Sequence, residues 1–188
     1  MLETNLQPWV RLRLAQCLGK LERWEDASNV AEDGLMKFSD FSHAHEYTFV
    51  KARAFETRGM LNDAQDLYLD VIESESGKGS ETAAIAQWRI GEIHFHREDY
   101  SMAIESYQKV DALYNYTQWK KAAILQAGKC QEHLGNWKHA SILYTQLMEK
   151  FPESAMAMQA KERLVLIDRL AKNSTPTKSL LKVNSKRR

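Results

Sequence analysis

The feature that most limits what this chain can become is a repeat. An aromatic or aliphatic residue stands three positions before an alanine at Trp24/Ala27, Leu61/Ala64, Tyr100/Ala103 and Trp137/Ala140. The four alanines lie 37, 39 and 37 residues apart. Self-similarity at a fixed period of this size marks an array of small stacked units rather than one globular core. Other residues keep step with these anchors. Twelve positions before each stands a small residue, Ala15, Ala52, Gly91 and Gly128. Four positions after come Ala31, Tyr68, Tyr107 and Tyr144, and seven after come Gly34, Val71, Val110 and Leu147. The anchor and the residues four and seven beyond it share one face of a helix. The small residue upstream belongs to a preceding helix, where its size permits close approach.

Each unit therefore reads as a helix-turn-helix hairpin that cannot bury its stripe alone, so that four hairpins stack into one continuous core. The expected units are about 8–40, 44–75, 82–115 and 119–151. Gly59 and Gly135 fall between the two helices, where a left-handed residue ends the first, and Asn62 with Gln65 is expected to cap the second. The longest interruption, "ESESGKGSE", is the expected mobile joint. It lacks the upstream glycine and strand of a phosphate-binding loop. Residues 154–171 continue as one unpaired helix with Ala157, Ala160, Leu164 and Ile167 on its inner stripe, which suits a C-terminal cap. The predicted repeat domain is thus 1–171, and the aperiodic basic stretch 172–188 is expected to be disordered.

Composition agrees with an ordered helical protein, with 44% hydrophobic and 27% charged residues, three prolines and eight glycines in 188. No stretch approaches the roughly 18–20 apolar residues needed to span a bilayer. The near-neutral balance, 26 basic against 25 acidic residues, conceals an asymmetry. Lys172, Lys178, Lys182, Lys186, Arg187 and Arg188 all lie in the tail, which leaves an acidic body. Such a body argues against an extended phosphate-binding surface. The first residues lack the pattern of a secretory signal, which points to the cytoplasm.

The small residue in the first helix, the aromatic before an alanine, the aromatic four residues later and the closing Pro152 resemble the tetratricopeptide repeat. The resemblance runs over residues 8 to 171. It is strongest in "AQWRIGEIHFHREDYSMAIESYQKV" and "AILQAGKCQEHLGNWKHASILYTQLMEKFP". Periods of 37 and 39 exceed the 34 of that repeat, and only the fourth unit has its closing proline. The resemblance implies an all-α, right-handed α-solenoid with a C-terminal capping helix. The ending "FPESAMAMQAKERL" is similar to bacterial envelope-assembly proteins, which implies the periplasm or cell envelope if the chain continues a longer protein.

The resemblance also implies that first helices line a concave groove for a partner protein or peptide. Counting back 15, 11 and 8 positions from the anchors selects the groove set. The first row is Leu12, Phe49, Trp88 and Leu125; the second is Gln16, Arg53, Glu92 and Lys129; the third is Gly19, Glu56, Phe95 and Glu132. An apolar ridge flanked by both charges suits a peptide with hydrophobic anchors. The basic, amide-rich set that clamps a C-terminal carboxylate in one version of this fold is absent.

Catalytic and metal signatures are missing: no serine elbow, no HExxH, no nucleotide fingerprint. His94 and His96 project to opposite sides of a helix, and His43 and His45 have no ligand set at zinc spacing. No cofactor or small-molecule substrate is implied. Cys17 and Cys130 occupy equivalent places three hairpins apart, beyond disulfide reach, and read as buried thiols. The expected function is a non-catalytic interaction scaffold. Two alternatives stand beside it. One is a structural C-terminal segment of a longer repeat array, with Trp9 and Leu12 exposed at its open end. The other is nucleic-acid or membrane-surface binding through the tail.

Overall fold

The computed structural model describes the backbone of residues 2–174 and the side-chain surroundings of residues 7–170. Nine helices follow one another in these residues: α1 (Leu2–Lys20), α2 (Trp24–Lys37), α3 (Ala44–Thr57), α4 (Leu61–Glu73), α5 (Glu81–His96), α6 (Tyr100–Leu113), α7 (Thr117–His133), α8 (Trp137–Lys150) and α9 (Ala155–Ser174). Each packs on the next in sequence. The first helices of the hairpins also touch in succession, α1 with α3, α3 with α5, α5 with α7 and α7 with α9, whereas no two second helices meet. The stack therefore curves with its first helices on the inner side, an α-solenoid of four hairpins and a cap. The bounds differ from expectation at both ends. α1 begins upstream of Pro8, whose fixed φ is compatible with a helix and costs it a single hydrogen bond to residue 4. α9 continues past residue 171, and residues 175–188 of the tail lie outside the described residues.

Size complementarity closes each hairpin. Tyr68, Tyr107 and Tyr144 are all but fully buried. A Cβ on Gly91 would stand 2.5 Å from Cε1 of Tyr107, and one on Gly128 would collide with the ring of Tyr144. Glycine is required there because the ring occupies that space. Between hairpins the same rule holds with the partners exchanged. Val71, Val110 and Leu147 share clusters with Ala86, Ala123 and Ala160 of the following helices. Where α2 instead has Gly34, α3 supplies Tyr47, and a Cβ on Gly34 would stand 2.5 Å from that ring. The Tyr47 hydroxyl is satisfied by donating to the Pro8 carbonyl at 2.5 Å.

All four hairpin turns have one backbone design. In the second, Gly59 N–H donates to the Glu56 carbonyl and Met60 N–H to that of Phe55. The same pair of bonds recurs at Glu22/Arg23, Glu98/Asp99 and Gly135/Asn136. This is the Schellman motif, whose C′ residue is left-handed. Gly59 and Gly135 hold φ of 76° and 71°, but Glu22 and Glu98 are forced to 59° and 62°. The second helices carry no side-chain N-cap, so the expected cap at Asn62 and Gln65 is not made. Both lie inside α4 and instead accept hydrogen bonds from Arg97 at 2.6 and 3.1 Å.

The "ESESGKGSE" loop is pinned rather than mobile. Ser76 Oγ accepts from the His45 backbone N–H at 3.3 Å and lies 3.1 Å from His45 Nδ1. Tyr116 donates to the Gly79 carbonyl, and Gly77 packs too tightly for any side chain. Burial lowers the pKa of His45 below its usual 6.5, with a further lowering from His43 against an opposing pull from Glu46. Burial likewise lowers that of His94.

Two outcomes follow from these constraints. Glu98→Gly relieves a left-handed glutamate and is expected to stabilise the fold by about 0.5–1 kcal/mol in urea unfolding; a loss of stability would contradict the turn geometry. His45 and His94 resist protonation in the folded chain, while the unfolded chain takes up protons as pH falls through 6.5. Stability is therefore full above that pH and lost below it. Thermal midpoints should fall between pH of about 7 and about 5, with a smaller drop in His45→Gln.

Candidate partner-binding groove

The residues expected to line a groove stand on the inner layer of first helices, where they divide into three groups. Leu12 and Leu125 leave the surface altogether, at 0% and 5% exposure. Their position points down the seam between helices, and only a ring as long as Phe49 or Trp88 reaches out of it. Leu12 packs with Ala15 and Tyr47, and Leu125 with Ala140 and Leu147.

The second group, Glu56, Glu92 and Glu132, is half-buried and fully engaged by the chain itself. The Tyr68 and Tyr107 hydroxyls donate to Glu56 and Glu92 at 2.5 Å, and the Tyr144 hydroxyl donates to Glu132. Burial, reinforced by the adjacent carboxylate, drives all three phenol pKa values far up, so each remains a donor. The other carboxylate contacts come from the next element along. Arg89 reaches Glu56 at 3.4 Å, Gln126 donates to Glu92 at 2.7 Å, and Arg163 grips Glu132 with two nitrogens, at 2.9 and 2.5 Å. Arg89, Gln126 and Arg163 are each 37 residues apart. The carboxylates are thus rungs of a ladder that ties α3 to α5, α5 to α7 and α7 to α9.

The third group remains open to a partner. Gln16, Phe49 and Arg53 converge on a cleft of about 790 Å³ between α1, α3 and the start of α5, together with Arg13, Gly19, Lys20, Trp24 and Ile85. The Arg53 guanidinium lies 5.3 Å over the Trp24 ring and donates to Glu56 at 2.9 Å. Gln16 donates to Glu46 at 2.7 Å, and Glu81 accepts from the Trp119 indole at 3.1 Å. The cleft therefore carries charge of both signs, with Arg13 and Lys20 beside Glu46 and Glu81, whose hydrogen-bond donors are neutral. Trp88 and Phe95 lie farther along. Trp88 packs 5.8 Å from Trp119, while Phe95 joins Tyr100 and His133, whose rings stack at 4.5 Å. Lys129 is half-buried, with no ion pair among the described residues.

Trp24 and Lys20 were not evident as groove residues. The signal was Gly19: the other hairpins hold Glu56, Phe95 and Glu132 at that position. Without a side chain there, Trp24 slides in until a Cβ on Gly19 would meet its Cζ3 at 2.9 Å, and the cleft stays open above it. Elsewhere, Cys17 is exposed rather than buried. Cys130 is buried, and burial with Glu92 nearby pushes its thiol up to about 12. Among the described residues no group of three or more His, Cys, Asp or Glu is placed to hold a metal ion.

A tetratricopeptide-repeat family model matches residues 122–154, the fourth hairpin and its closing turn. No curated protein matches the sequence. Among solved structures, YrrB, described as a tetratricopeptide-repeat protein with an unusual peptide-binding site, superposes with a TM-score of 0.60 at 16% identity, covering 87% of this chain and 77% of its own. A Podosopora anserina protein with nearly identical repeats of this kind superposes with a TM-score of 0.66 at 13% identity, covering 90% of this chain and 89% of its own. The fourth hairpin thus matches the tetratricopeptide repeat, and the chain as a whole shares the fold of solenoids built from that repeat.

Proposed function

We propose that this chain captures an extended or helical peptide segment of a partner protein in the cleft between α1, α3 and α5. The fold itself is that of a general protein-interaction scaffold. The observation that carries the finer reading is the cleft opened by Gly19, floored by the Arg53–Trp24 stack and walled by Phe49 and Ile85. An apolar side chain of the partner would seat on Phe49 and Ile85, the kind of desolvated aromatic contact that dominates binding energy. A carboxylate beside it would face Lys20, which makes no ion pair among the described residues. The groove is preformed because the carboxylate ladder holds α3, α5, α7 and α9 in register, so little ordering cost attends binding. Peptide capture in YrrB, which shares the fold, is consistent with this use.

The test begins with capture of partners on the immobilised chain and mapping of the bound segment as a synthetic peptide. Phe49→Ala is expected to weaken that peptide about ten-fold or more, by loss of about 1.4 kcal/mol. Lys20→Glu should weaken it too, with an effect that shrinks as salt is raised. Unchanged affinity in both variants, with helical circular dichroism retained, would show that the peptide binds elsewhere.

A further inference from the structure

The side of α1 turned away from its core carries Val10, Leu14 and Cys17 in line, one turn apart, with Leu21 just past its C-terminus. All four are exposed, Val10 at 66%, Leu14 at 50% and Leu21 at 68%. The repeat register explains why apolar residues stand there. Val10, Leu14 and Cys17 lie 17, 13 and 10 positions before their anchor alanine. The same three positions are occupied by Tyr47, Lys51 and Ala54 in α3, where Tyr47 sits against Gly34 and Lys51 pairs with Glu32, both of α2. In α5 they are Ala86, Ile90 and Ile93, clustered with Tyr68 and Val71 of α4. In α7 they are Ala123, Ala127 and Cys130, clustered with Tyr107 and Val110 of α6. In α9, one period on, they are Ala160, Leu164 and Ile167, with Tyr144 and Leu147 of α8. Every later set is covered by the second helix that precedes it. The α1 set alone is bare, since α1 packs on α2 and α3 only among the described residues.

The rim of this face is basic. Arg13 and Lys20 flank the stripe on the groove side, Arg11 on the other side is paired with Asp33 of α2, and no acid occurs between Gln7 and Lys20. A second α1 packed against it would set these cations against their own copies, which disfavours self-pairing. Two second helices of the stack, α2 and α4, have the opposite character. In α4, Ala64, Tyr68 and Val71 form the buried stripe, with Asp63, Asp66, Asp70 and Glu73 on the same helix. We propose that the outer face of α1 docks an acid-flanked amphipathic helix supplied from outside residues 1–188, seated as α4 is seated on α5. This surface shares Arg13 and Lys20 with the margin of the peptide cleft, but its apolar stripe lies outside that cleft and does not depend on peptide capture there.

Cys17 lies on the stripe and reports its coverage, while the Cys130 thiol is buried and raised to about 12, so it stays silent. The probe is a helix-locked synthetic peptide of residues 61–73, stapled on its solvent side and added to the full chain. It is expected to slow alkylation of Cys17 by iodoacetamide saturably, about ten-fold or more at saturation. Asp→Asn changes at the peptide positions matching 63, 66 and 70 should weaken the protection. Leu14→Glu in the protein, an exposed substitution whose folding is checked by circular dichroism, should abolish it. Absence of slowing up to the solubility limit of the peptide would overturn the proposal, as would slowing that persists in Leu14→Glu. Protection that grows with protein concentration alone, accompanied by a sedimenting dimer, would overturn it in favour of a second copy of the chain.

Discussion

The structure depends on one contact repeated along the chain, a tyrosine ring lodged where the facing helix has glycine or alanine. Burying a side chain of this size contributes on the order of 2 kcal/mol, but the position of the hydroxyl decides more. Inside the hairpin a phenol without a partner would lose much of what its ring gains. In the last three hairpins a glutamate accepts that hydrogen bond. The glutamate in turn is too buried to stand alone, and an arginine or glutamine from the next helix completes its shell. Ring size thus fixes the packing within a hairpin, and the hydroxyl propagates that order to the following one. This is how nearest-neighbour coupling arises in a solenoid.

The same ladder decides what the groove can offer. Read as free side chains, Glu56, Glu92 and Glu132 would make the inner surface amphoteric. Engaged as they are, they contribute rigidity and no available charge, and Glu132 is only 8% exposed. The cleft between α1, α3 and α5 is the place where the ladder has no rung. Gly19 replaces the third-row side chain there, and Arg53 is shared between Glu56 and the face of Trp24. Desolvated apolar surface with a cation at its margin is what remains for a ligand.

Much of this was legible in the sequence, because periodicity is a geometric statement. The anchors, the small residues of the first helices and the register of α9 follow from spacing, whereas the first-helix groove was implied only by the resemblance to the tetratricopeptide repeat. What spacing could not supply was direction and competition. Leu12 and Phe49 share a register position, yet the shorter chain ends inside the core and the longer one reaches the surface. Glutamates three or four residues apart look alike as solvated acids until the tyrosine hydroxyls and the next helix claim them. Glu22 and Glu98 hid the turn motif because a glutamate rarely accepts left-handed backbone, and only the fixed bonds around it impose that conformation. The loop at 73–81 reads as slack, since its anchors, His45 and Tyr116, lie about 30 or more residues away in sequence.

The two ends of the solenoid are not equivalent, and the difference is chemical. Val165 of α9 stands one period beyond Gly128, where the packed hairpins require a residue small enough to admit a tyrosine ring. A valine at that position bars the contact on which the second, third and fourth hairpins close, and α9 receives α8 on its other side. Its exposed Val165 and Leu166 belong to a face that has lost the repeat pattern. At α1 the pattern is kept. Val10, Leu14 and Cys17 retain the apolar character that later helices use against a preceding neighbour, at positions where a solvated helix face would carry charge. The apolar pattern of the repeat is thus kept on the outer face of α1 and lost on that of α9.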